Sequence, residues 1–335
     1  MTTQVIYTNE FNRHDNPSHP ENARRLNVMI DELEKTPFYG ELEILEPKIL
    51  SDRPLREIHS SRMIQQVKDI SQIEDSWIDL DTYVCKGDYE IAKLAAGAML
   101  QACENVLSGK ADNSYALVRP PGHHATIGRS MGFCLFNNIA IAANEIAKKG
   151  KKVLIMDFDV HHGNGTQDIH YHRSDIMYQS LHLSPHYPGT GDINEVGIDD
   201  GEGYTINSPL SYGNGNDAAR TILDEIFLPI AKQFKPDIIL FSSGYDSHHS
   251  DPLGGLRFTS DFYGEIIKKY QKIQPKIACT IEGGYNLQWI GKCLVSQIAQ
   301  MMNKQITFKD EIREDPNIKE LLKELKNEMG KYWKI

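Results

Sequence analysis

Side chains that bind metals or move protons are concentrated in one short stretch, directly after an apolar run at 153–156. Asp157, Asp159, His161 and His162 lie within six residues. In an extended chain residues i and i+2 share a face, so Asp159 and His161 are predicted to project together, with Asp157, if the strand continues that far. Such a pair offers a carboxylate oxygen and an imidazole nitrogen, both ligands of zinc. The alternative is a buried strand ending in a polar turn, although buried carboxylates need partners that offset their desolvation.

Polar clusters follow three more apolar runs. His123 and His124 come after the run at 115–118, Asp246 after 238–243, and Glu282 and Tyr285 after 276–281. If the runs are parallel strands of one sheet, these loops leave from the carboxyl ends, where ligands bind in open α/β sheets. The clusters are therefore predicted to meet at one edge of the sheet.

Asp159, His161 and Asp246 would supply three nitrogen or oxygen ligands from two loops. Three protein ligands leave a coordination position open for water or substrate, as in a catalytic rather than a structural zinc site. Asp246 alone is also compatible with a turn or helix-cap aspartate. The glycines around Asn164 do not form a phosphate loop, because no Gly-Lys-Ser/Thr follows them.

The adjacent histidines and the tyrosine suggest acid–base chemistry. His123 and His124 follow Pro-Pro-Gly, a rigid loop suited to holding imidazoles that transfer protons near neutral pH. Asp157 and Asn164 are candidate acceptors for their Nδ1–H groups. The Tyr285 phenol could stabilise a tetrahedral oxyanion. A structural histidine pair and a packing tyrosine remain the alternatives.

The surrounding periodicity alternates between strands and helices. Strands are predicted at 4–7, 115–118, 153–158, 176–181, 237–243 and 276–281, and helices at 22–33, 60–70, 88–109, 137–149, 216–233, 260–273, 289–302 and 312–329. This alternation predicts βαβ units and a parallel sheet covered on both faces. Residues 182–208 are predicted to be a long loop. Since no linker or repeat is visible, we predict one domain over 1–335, with the last helix packed on it.

Composition narrows the class of protein further. The 335 residues are 40% hydrophobic and 24% charged, with a formal net charge of −10, which argues against a nucleic-acid partner. No apolar run reaches the ~18 residues of a membrane span, and the first residues do not resemble a secretory leader. Five widely spaced cysteines without a Cys-x-x-Cys pair indicate reduced thiols, so a cytoplasmic protein is predicted.

Several motifs together resemble the zinc-dependent histone deacetylase family, in particular its class II branch and bacterial and archaeal relatives. They are Val118-Arg-Pro-Pro-Gly-His-His124, Met131-Gly-Phe-Cys-Leu-Phe-Asn-Asn138, the stretch at 157–167, Ser180-Leu-His182, Asp251-Pro-Leu-Gly-Gly255 and Glu282-Gly-Gly-Tyr285. The resemblance covers roughly residues 15 to 300. It implies a single α/β domain of the arginase/deacetylase type, with an eight-stranded parallel sheet between helices.

The resemblance also implies two metals. One catalytic zinc would be held by Asp159, His161 and Asp246. A structural potassium ion would lie near Asp157, Asp159, His161, Ser180 and Leu181, mostly on backbone oxygens.

The resemblance assigns catalytic roles to the same loops. His124 would act as general base and then general acid, while His123, paired with Asp157, would orient water and supply electrostatic help. Tyr285 would polarise the acyl carbonyl. A tyrosine at this position implies an enzyme with real deacetylase turnover. The resemblance makes Asn164 the hydrogen-bond partner of His124. Class I members carry aspartate at this position, so the asparagine marks the class II branch.

The family pattern further implies a tunnel for a lysine side chain. The Gly132 carbonyl and the aromatic rings of Phe133 and Tyr187 would form its walls, although the segment at 184–188 lacks one of two adjacent aromatics usual there. Leu253 stands where polyamine-specific relatives place a glutamate. A leucine at this position favours acyl-lysine as the substrate. Asp81 would hold the substrate backbone at the rim.

We therefore predict hydrolysis of Nε-acetyl-lysine in proteins or peptides to lysine and acetate. One alternative is an amidohydrolase of acetylpolyamines or other small amides, and another is a non-catalytic acyl-lysine binder. An arginase-like two-metal enzyme is disfavoured, because Tyr245 and Ser247 beside Asp246 are not the aspartates it needs. The acyl-chain preference, physiological substrate and oligomeric state are not fixed by the sequence.

Overall fold

The computed structural model describes residues 1–311 and 315–335. Its strands are β1 (Thr3–Ile6), β2 (Glu43–Leu45), β3 (Ser76–Trp77), β4 (Tyr83–Val84), β5 (Asn113–Ala116), β6 (Val153–Asp157), β7 (Ile176–Leu183), β8 (Thr205–Leu210), β9 (Ile238–Ser243) and β10 (Ile277–Ile281). Its α-helices are α1 (Arg24–Glu34), α2 (Asp52–Ile58), α3 (Ser61–Ile70), α4 (Asp88–Leu107), α5 (Asn138–Ala147), α6 (Asn164–His170), α7 (Asn216–Ile222), α8 (Leu228–Phe234), α9 (Ser260–Gln271), α10 (Ile290–Met301) and α11 (Lys319–Met329).

In the described chain, eight strands form one sheet in the order β2-β1-β5-β10-β9-β6-β7-β8. The pairings in this sheet are parallel, so the carboxyl ends of its strands lie at the same edge. The four strands that precede the polar clusters, β5, β10, β9 and β6, are direct neighbours at its centre. The prediction of an α/β fold with about eight parallel strands between helices is confirmed.

The central strands are buried on both faces, which explains why they are continuous apolar runs. All residues of β6 and β9 are buried. Helices α4 and α5 pack on the central strands, while α1, α10 and α9 pack against one another in that order. Full burial of a leucine or isoleucine contributes about 1.5–3 kcal/mol, so this core supports the loops at the carboxyl edge on rigid elements.

Some element boundaries differ from the prediction. The loop predicted at 182–208 contains the start of β8, an edge strand in which Pro209 is tolerated because no neighbour needs its missing N–H. The helix predicted at 216–233 is interrupted by a π-helical turn at Leu223–Phe227. Helices α2 and α6 lie outside the predicted elements.

The starts of α3 and α4 differ in how they are capped. Ser60 caps α3, since its hydroxyl accepts the N–H of Met63 at 3.3 Å. Asp88 is the first residue of α4 rather than its cap. Its carboxylate instead accepts hydrogen bonds from His14 Nδ1 at 2.6 Å and from the N–H of Cys85 at 2.5 Å. Both bonds go to Oδ2, and the residue at the cap position of α4 is Gly87.

The C-terminal helix is shorter than predicted. It begins at Lys319, and residues 312–314 of the predicted helix lie outside the described residues. Leu325 and Met329 are fully buried, and Trp333 Nε1 donates to the carbonyl of Gly203 at 2.7 Å. The helix therefore packs on the rest of the chain, while the assignment of residues 1–335 to one domain stays a prediction.

Two further observations concern the expected environment. All five cysteines are free thiols, and four of them are buried. Across residues 1–311 and 315–335, the helices lack the combination of length and apolar character needed to cross a bilayer. The cellular compartment stays a prediction.

Candidate active site

The stretch after β6 turns sharply instead of continuing as a strand. The strand ends at Asp157, one residue before the predicted end, so the condition that the extended chain continues to His161 is not met. Asp157 Oδ1 accepts the N–H of Asp159 at 3.1 Å, and Asp159 Oδ1 accepts the N–H of His161 at 2.9 Å. Aspartates that bond to the backbone two residues ahead favour turns, and this pair of turns aims Asp159 and His161 at the loop after β9.

Asp159, His161 and Asp246 meet in this turn, as the sequence predicted. His161 Nδ1 lies 3.0 Å from Asp159 Oδ1 and 3.1 Å from Asp246 Oδ2. The remaining oxygens are held by the backbone, since Asp159 Oδ2 accepts the N–H of Gly283 at 2.8 Å and Asp246 Oδ1 accepts that of Val160 at 2.9 Å. The carboxylates are therefore fixed before any ligand binds.

The chemistry of these donors fits a divalent cation. One donor atom from each of the three residues lies within 4.8 Å of the others. Burial and the nearby negative charge of Asp159 together raise the pKa of Asp246 to about 7. A metal ion would relieve this repulsion. Tetrahedral zinc with bonds of about 2.0–2.2 Å separates its ligand atoms by about 3.3 Å, close to the spacing of His161 from the two carboxylates.

Gly283 leaves the space that the carboxylates occupy. A Cβ at this position would lie 2.0 Å from Asp246 Oδ2 and 2.7 Å from Asp159 Oδ2. Its N–H is also the donor that holds Asp159. A glycine after β10 is therefore required by the close approach of both acidic side chains.

The two adjacent histidines have different partners, both of which the sequence suggested. His123 Nδ1 lies 3.1 Å from Asp157 Oδ2, which also accepts the Tyr178 hydroxyl at 3.1 Å. His124 Nδ1 lies 2.8 Å from Asn164 Oδ1. Because an amide oxygen only accepts, the Nδ1 of His124 carries the proton and its Nε2 is left as an acceptor.

The environment drives the pKa values of these histidines apart. Burial lowers the pKa of His124 well below its ordinary value, and the positive charges of His123 and His161 add to this effect. Burial also acts to lower the pKa of His123, but the carboxylates of Asp159 and Asp157 outweigh it and raise the pKa to about 10. Neighbouring groups separated in this way have distinct acid and base roles.

Tyr285 is positioned through its backbone. Its N–H donates to Asp251 Oδ2 at 2.6 Å, and the N–H of Asn286 donates to the same oxygen at 3.0 Å. The guanidinium of Arg25 lies 5.0 Å from the ring centroid, and Phe133 packs edge-on at 5.9 Å. Burial raises the pKa of Tyr285 well above its ordinary value, so the hydroxyl keeps its proton.

Two more charged side chains hold the loops, and reasoning from the sequence did not give them a role. Glu282 Oε2 accepts the N–H groups of Gly122 and His123 at 2.7 and 3.1 Å. Arg25 donates to the carbonyls of Glu282 and Gly284 at 2.6 and 2.7 Å. Arg25 and Gly284 are 259 residues apart, so no local spacing could have revealed this contact.

A cavity of about 210 Å³ is lined by His123, His124, Tyr285 and His161, the last of which belongs to the metal-ligand cluster. The predicted wall residues Gly132, Phe133, Tyr187, Leu253 and Asp81 all line it. Gly132 has a φ of +57°, and a Cβ there would lie 2.5 Å from His124 Cδ2. Its carbonyl, predicted to face the tunnel, accepts the Cys134 thiol at 3.3 Å.

His186 fills the place of the expected second aromatic ring. It stacks on His161 with ring centroids 4.8 Å apart, and its Nε2 lies 3.1 Å from the carbonyl of Leu253. Tyr187 packs edge-on against His124 at 5.1 Å and is 37% exposed. This wall therefore carries two adjacent aromatic rings, His186 and Tyr187.

The residues expected near potassium are buried where β6 pairs with β7. Asp157 of β6 pairs in register with Ser180 of β7, and both are buried with Leu181. Ser180 Oγ lies 2.9 Å from His182 Nδ1. Ser180 and Leu181 are thus adjacent to Asp157 but do not belong to the cavity wall.

Comparisons with known proteins identify the family of this chain. A family model described as histone deacetylase domain matches residues 19–301. The chain is 36% identical over 297 residues to a probable deacetylase of Archaeoglobus fulgidus, covering 86% of this chain and 82% of that protein. It is 34% identical over 303 residues to a histone deacetylase-like amidohydrolase of Pseudomonas aeruginosa, covering 88% and 79%.

A solved structure shows the same fold. The crystal structure of the HDA15 HD domain superposes with a TM-score of 0.93 at 33% identity, covering 99% of this chain and 97% of that one. The architecture is thus the arginase/deacetylase fold that the motifs implied. The chain belongs to the histone deacetylase family of hydrolases.

Proposed function

We propose that this protein is a zinc-dependent deacetylase that hydrolyses Nε-acetyl-lysine in proteins or peptides to lysine and acetate. The observation that carries the proposal is one cavity lined by aromatic rings and by His161, which forms a cluster of three potential metal ligands with Asp159 and Asp246. A lysine side chain is a narrow apolar stem with a polar end. Aromatic rings suit the stem, and His124, His161 and Tyr285 place groups for amide hydrolysis in the same cavity.

Asp159, His161 and Asp246 would hold the zinc ion, each through one donor atom. Zinc bound there would supply Lewis-acid activation of the amide carbonyl and of the attacking water. The hydrogen bonds from Gly283 and Val160 to the two carboxylates keep their free oxygens oriented. Ligands fixed in this way hold a metal more tightly, because their orientation is set before binding.

His124 is the candidate general base. Asn164 fixes its Nδ1–H, so Nε2 can take a proton from the attacking water and later deliver it to the leaving amine. Its lowered pKa keeps it neutral before the reaction. His123, held by Asp157, places a second imidazole 4.0 Å away between ring centroids, where its positive charge would stabilise the negative charge that develops in the transition state.

Tyr285 is the candidate donor to the amide oxygen. Its hydroxyl stays protonated, and a phenol aimed at a developing oxyanion stabilises the transition state more than the ground state. Asp251 and Arg25 hold the backbone on either side of this residue. The loop is therefore rigid where the donor needs a defined position.

The substrate preference is proposed from the cavity mouth. Leu253 adds an apolar surface at the position where polyamine-specific relatives place a glutamate, so an acyl-lysine stem is favoured over a polyamine whose second ammonium would use that glutamate. Asp81 lines the mouth and would accept a hydrogen bond from the substrate backbone. A structural potassium ion near Asp157, Ser180 and Leu181 belongs to the same proposal and rests on the family resemblance alone.

The test is a substrate panel with the purified full chain. Acetate release is measured from acetyl-lysine peptides, acetylpolyamines and peptides carrying longer acyl groups, before and after chelation and zinc readdition. The proposal expects the highest kcat/KM for an acetyl-lysine peptide and recovery with zinc. A higher kcat/KM for acetylspermidine would assign the small-amide alternative, and binding without acetate release would assign the non-catalytic one.

A further inference from the structure

A second cluster of metal-binding side chains lies outside the cavity. His248 and His249 follow β9, and Asp310 lies in the segment after α10. His248 Nε2 is 2.8 Å and His249 Nε2 is 3.4 Å from the same oxygen, Asp310 Oδ1. One donor atom from each residue lies within 4.8 Å of the other two. Two imidazoles and a carboxylate therefore converge on one point from chain segments about 60 residues apart.

Hydrogen bonding does not account for all three groups. Asp310 Oδ1 already accepts His248 Nε2–H and the N–H of Ser260 at 3.1 Å. His249 Nε2 is buried and has no hydrogen-bond partner within the described chain, residues 1–311 and 315–335. Buried polar atoms are normally paired, so an unpaired nitrogen aimed at a carboxylate calls for a further ligand. A cation between them would use it.

The geometry around the cluster matches a metal site. The His248 and His249 separations from Asp310 bracket the ligand spacing of about 3.3 Å expected for zinc bonds of about 2.0–2.2 Å. Two of these side chains also have hydrogen-bond partners on their far side, since Ser250 Oγ lies 2.9 Å from His248 Nδ1 and Ser260 Oγ donates to Asp310 Oδ2 at 2.6 Å. Such partners orient metal-binding rings and carboxylates.

Exposure leaves a route for exchange. The side chains of His248 and Asp310 are 1% and 3% exposed, whereas that of His249 is 14% exposed. A water molecule on the His249 side would complete four-coordination. Two imidazoles and one carboxylate suit zinc and similar transition metals rather than calcium or magnesium, which prefer oxygen.

We propose that His248, His249 and Asp310 form a second metal site, for a divalent transition-metal ion such as Zn²⁺, separate from Asp159, His161 and Asp246. The ion would connect the segment after α10 to the loop after β9. This loop also contains Asp251, which holds the N–H of Tyr285. The site would thus stabilise a loop next to the active site without contacting the cavity.

The test is zinc stoichiometry in four proteins after saturation with Zn²⁺ and removal of loosely bound metal. Wild type is expected to retain about two zinc ions per chain. Asp159→Ala and His249→Gln should each retain about one, and the double variant none. His249→Gln is suitable because the imidazole makes no hydrogen bond that its loss would break within the described residues.

A matched control and a second readout separate this site from general effects. His172 faces Asp199 at 3.0 Å with both side chains more than half exposed, so His172→Gln should leave the zinc content unchanged. In the Asp159→Ala background, added Zn²⁺ should raise Tm, and His249→Gln should abolish the shift. Both measurements use metal binding and not catalysis.

The outcomes distinguish the two metal proposals. If Asp159→Ala retains no zinc, or if Asp159→Ala/His249→Gln still retains one ion, the second site is overturned. If wild type holds a single ion that survives Asp159→Ala and is lost in His249→Gln, the second site stands while the catalytic zinc of the proposed function fails.

Discussion

The link between Asp251 and Tyr285 gives the sharpest test of how the active site is built. Asp251 Oδ2 accepts the N–H groups of Tyr285 and Asn286, and Oδ1 accepts that of Leu253 at 3.0 Å. A carboxamide at position 251 has only one oxygen, so Asp251→Asn must lose part of this set. If Asp251 acts by holding Tyr285, its substitution should matter only while the tyrosine hydroxyl is present.

The magnitudes follow from the two interactions. Loss of an oxyanion donor costs about 10²–10³ in kcat, or about 2.7–4 kcal/mol, and this is the expectation for Tyr285→Phe. A hydrogen bond to a charged group contributes about 1.5–3 kcal/mol, so Asp251→Asn should lower kcat by roughly 10- to 100-fold. Independent effects would multiply in the double variant, whereas a shared effect leaves it close to Tyr285→Phe alone.

The assay measures kcat and KM for an acetyl-lysine peptide with the wild type, both single variants and the double variant. KM should change little in Tyr285→Phe, because the hydroxyl acts mainly in the transition state. Asp237→Asn is the matched control, since Asp237 also accepts a backbone N–H, from Lys152 at 2.9 Å, but precedes β9 at the opposite edge of the sheet. Its kcat should match the wild type.

Two results would refute this reasoning. Full activity of Tyr285→Phe would remove the role proposed for the hydroxyl. A double variant whose loss equals the product of the single losses would show that Asp251 acts on the reaction by another route. Urea unfolding of each variant checks that the compared proteins are folded.

Three further predictions concern the same loops and the core. Gly132→Ala should lower kcat by more than about 100-fold with little loss of fold, because the new methyl would meet the His124 ring at 2.5 Å; normal activity would contradict this crowding. Asp159→Ala should abolish acetate release and remove the cavity's zinc, measured by elemental analysis, and retained turnover would exclude the proposed ligand role. Burial lowers the pKa of His170 to about 3, so its contribution to stability is present above pH 6.5 and is lost as pH falls. Relative to His170→Leu, the wild-type free energy of unfolding should fall by about 2.3 kcal/mol between pH 6.5 and 4.5, and parallel pH profiles in urea unfolding would refute it.

The meeting of the functional loops could be predicted from the sequence because the strands are simple. Each is a short apolar run followed at once by polar residues, and parallel strands place those residues at one edge. The structure adds that β5, β10, β9 and β6 are direct neighbours, an order that the sequence does not contain. Chain order and sheet order differ here, so only the edge was predictable.

Other features could not be predicted from the sequence because competing local effects determine them. The strand after residue 153 ends at Asp157, since aspartate side chains bond to the backbone ahead and turn the chain. β8 carries Pro209 and has little apolar pattern, yet it forms because an edge strand needs hydrogen bonds on one side only. In both cases tertiary position or side-chain bonding outweighs the pattern of apolar residues.

The hardest part to predict is how the loops hold one another. Three carboxylates of the site accept a backbone N–H from a neighbouring loop: Asp246 that of Val160, Asp159 that of Gly283, and Glu282 those of Gly122 and His123. The loops after β9, β6, β10 and β5 are thereby connected in series. Two of these carboxylates are also the proposed metal ligands, so a single side chain both binds the ion and positions the next loop. Removing Asp159 or Asp246 should therefore disturb the site more than chelating the metal, because chelation leaves every backbone contact in place.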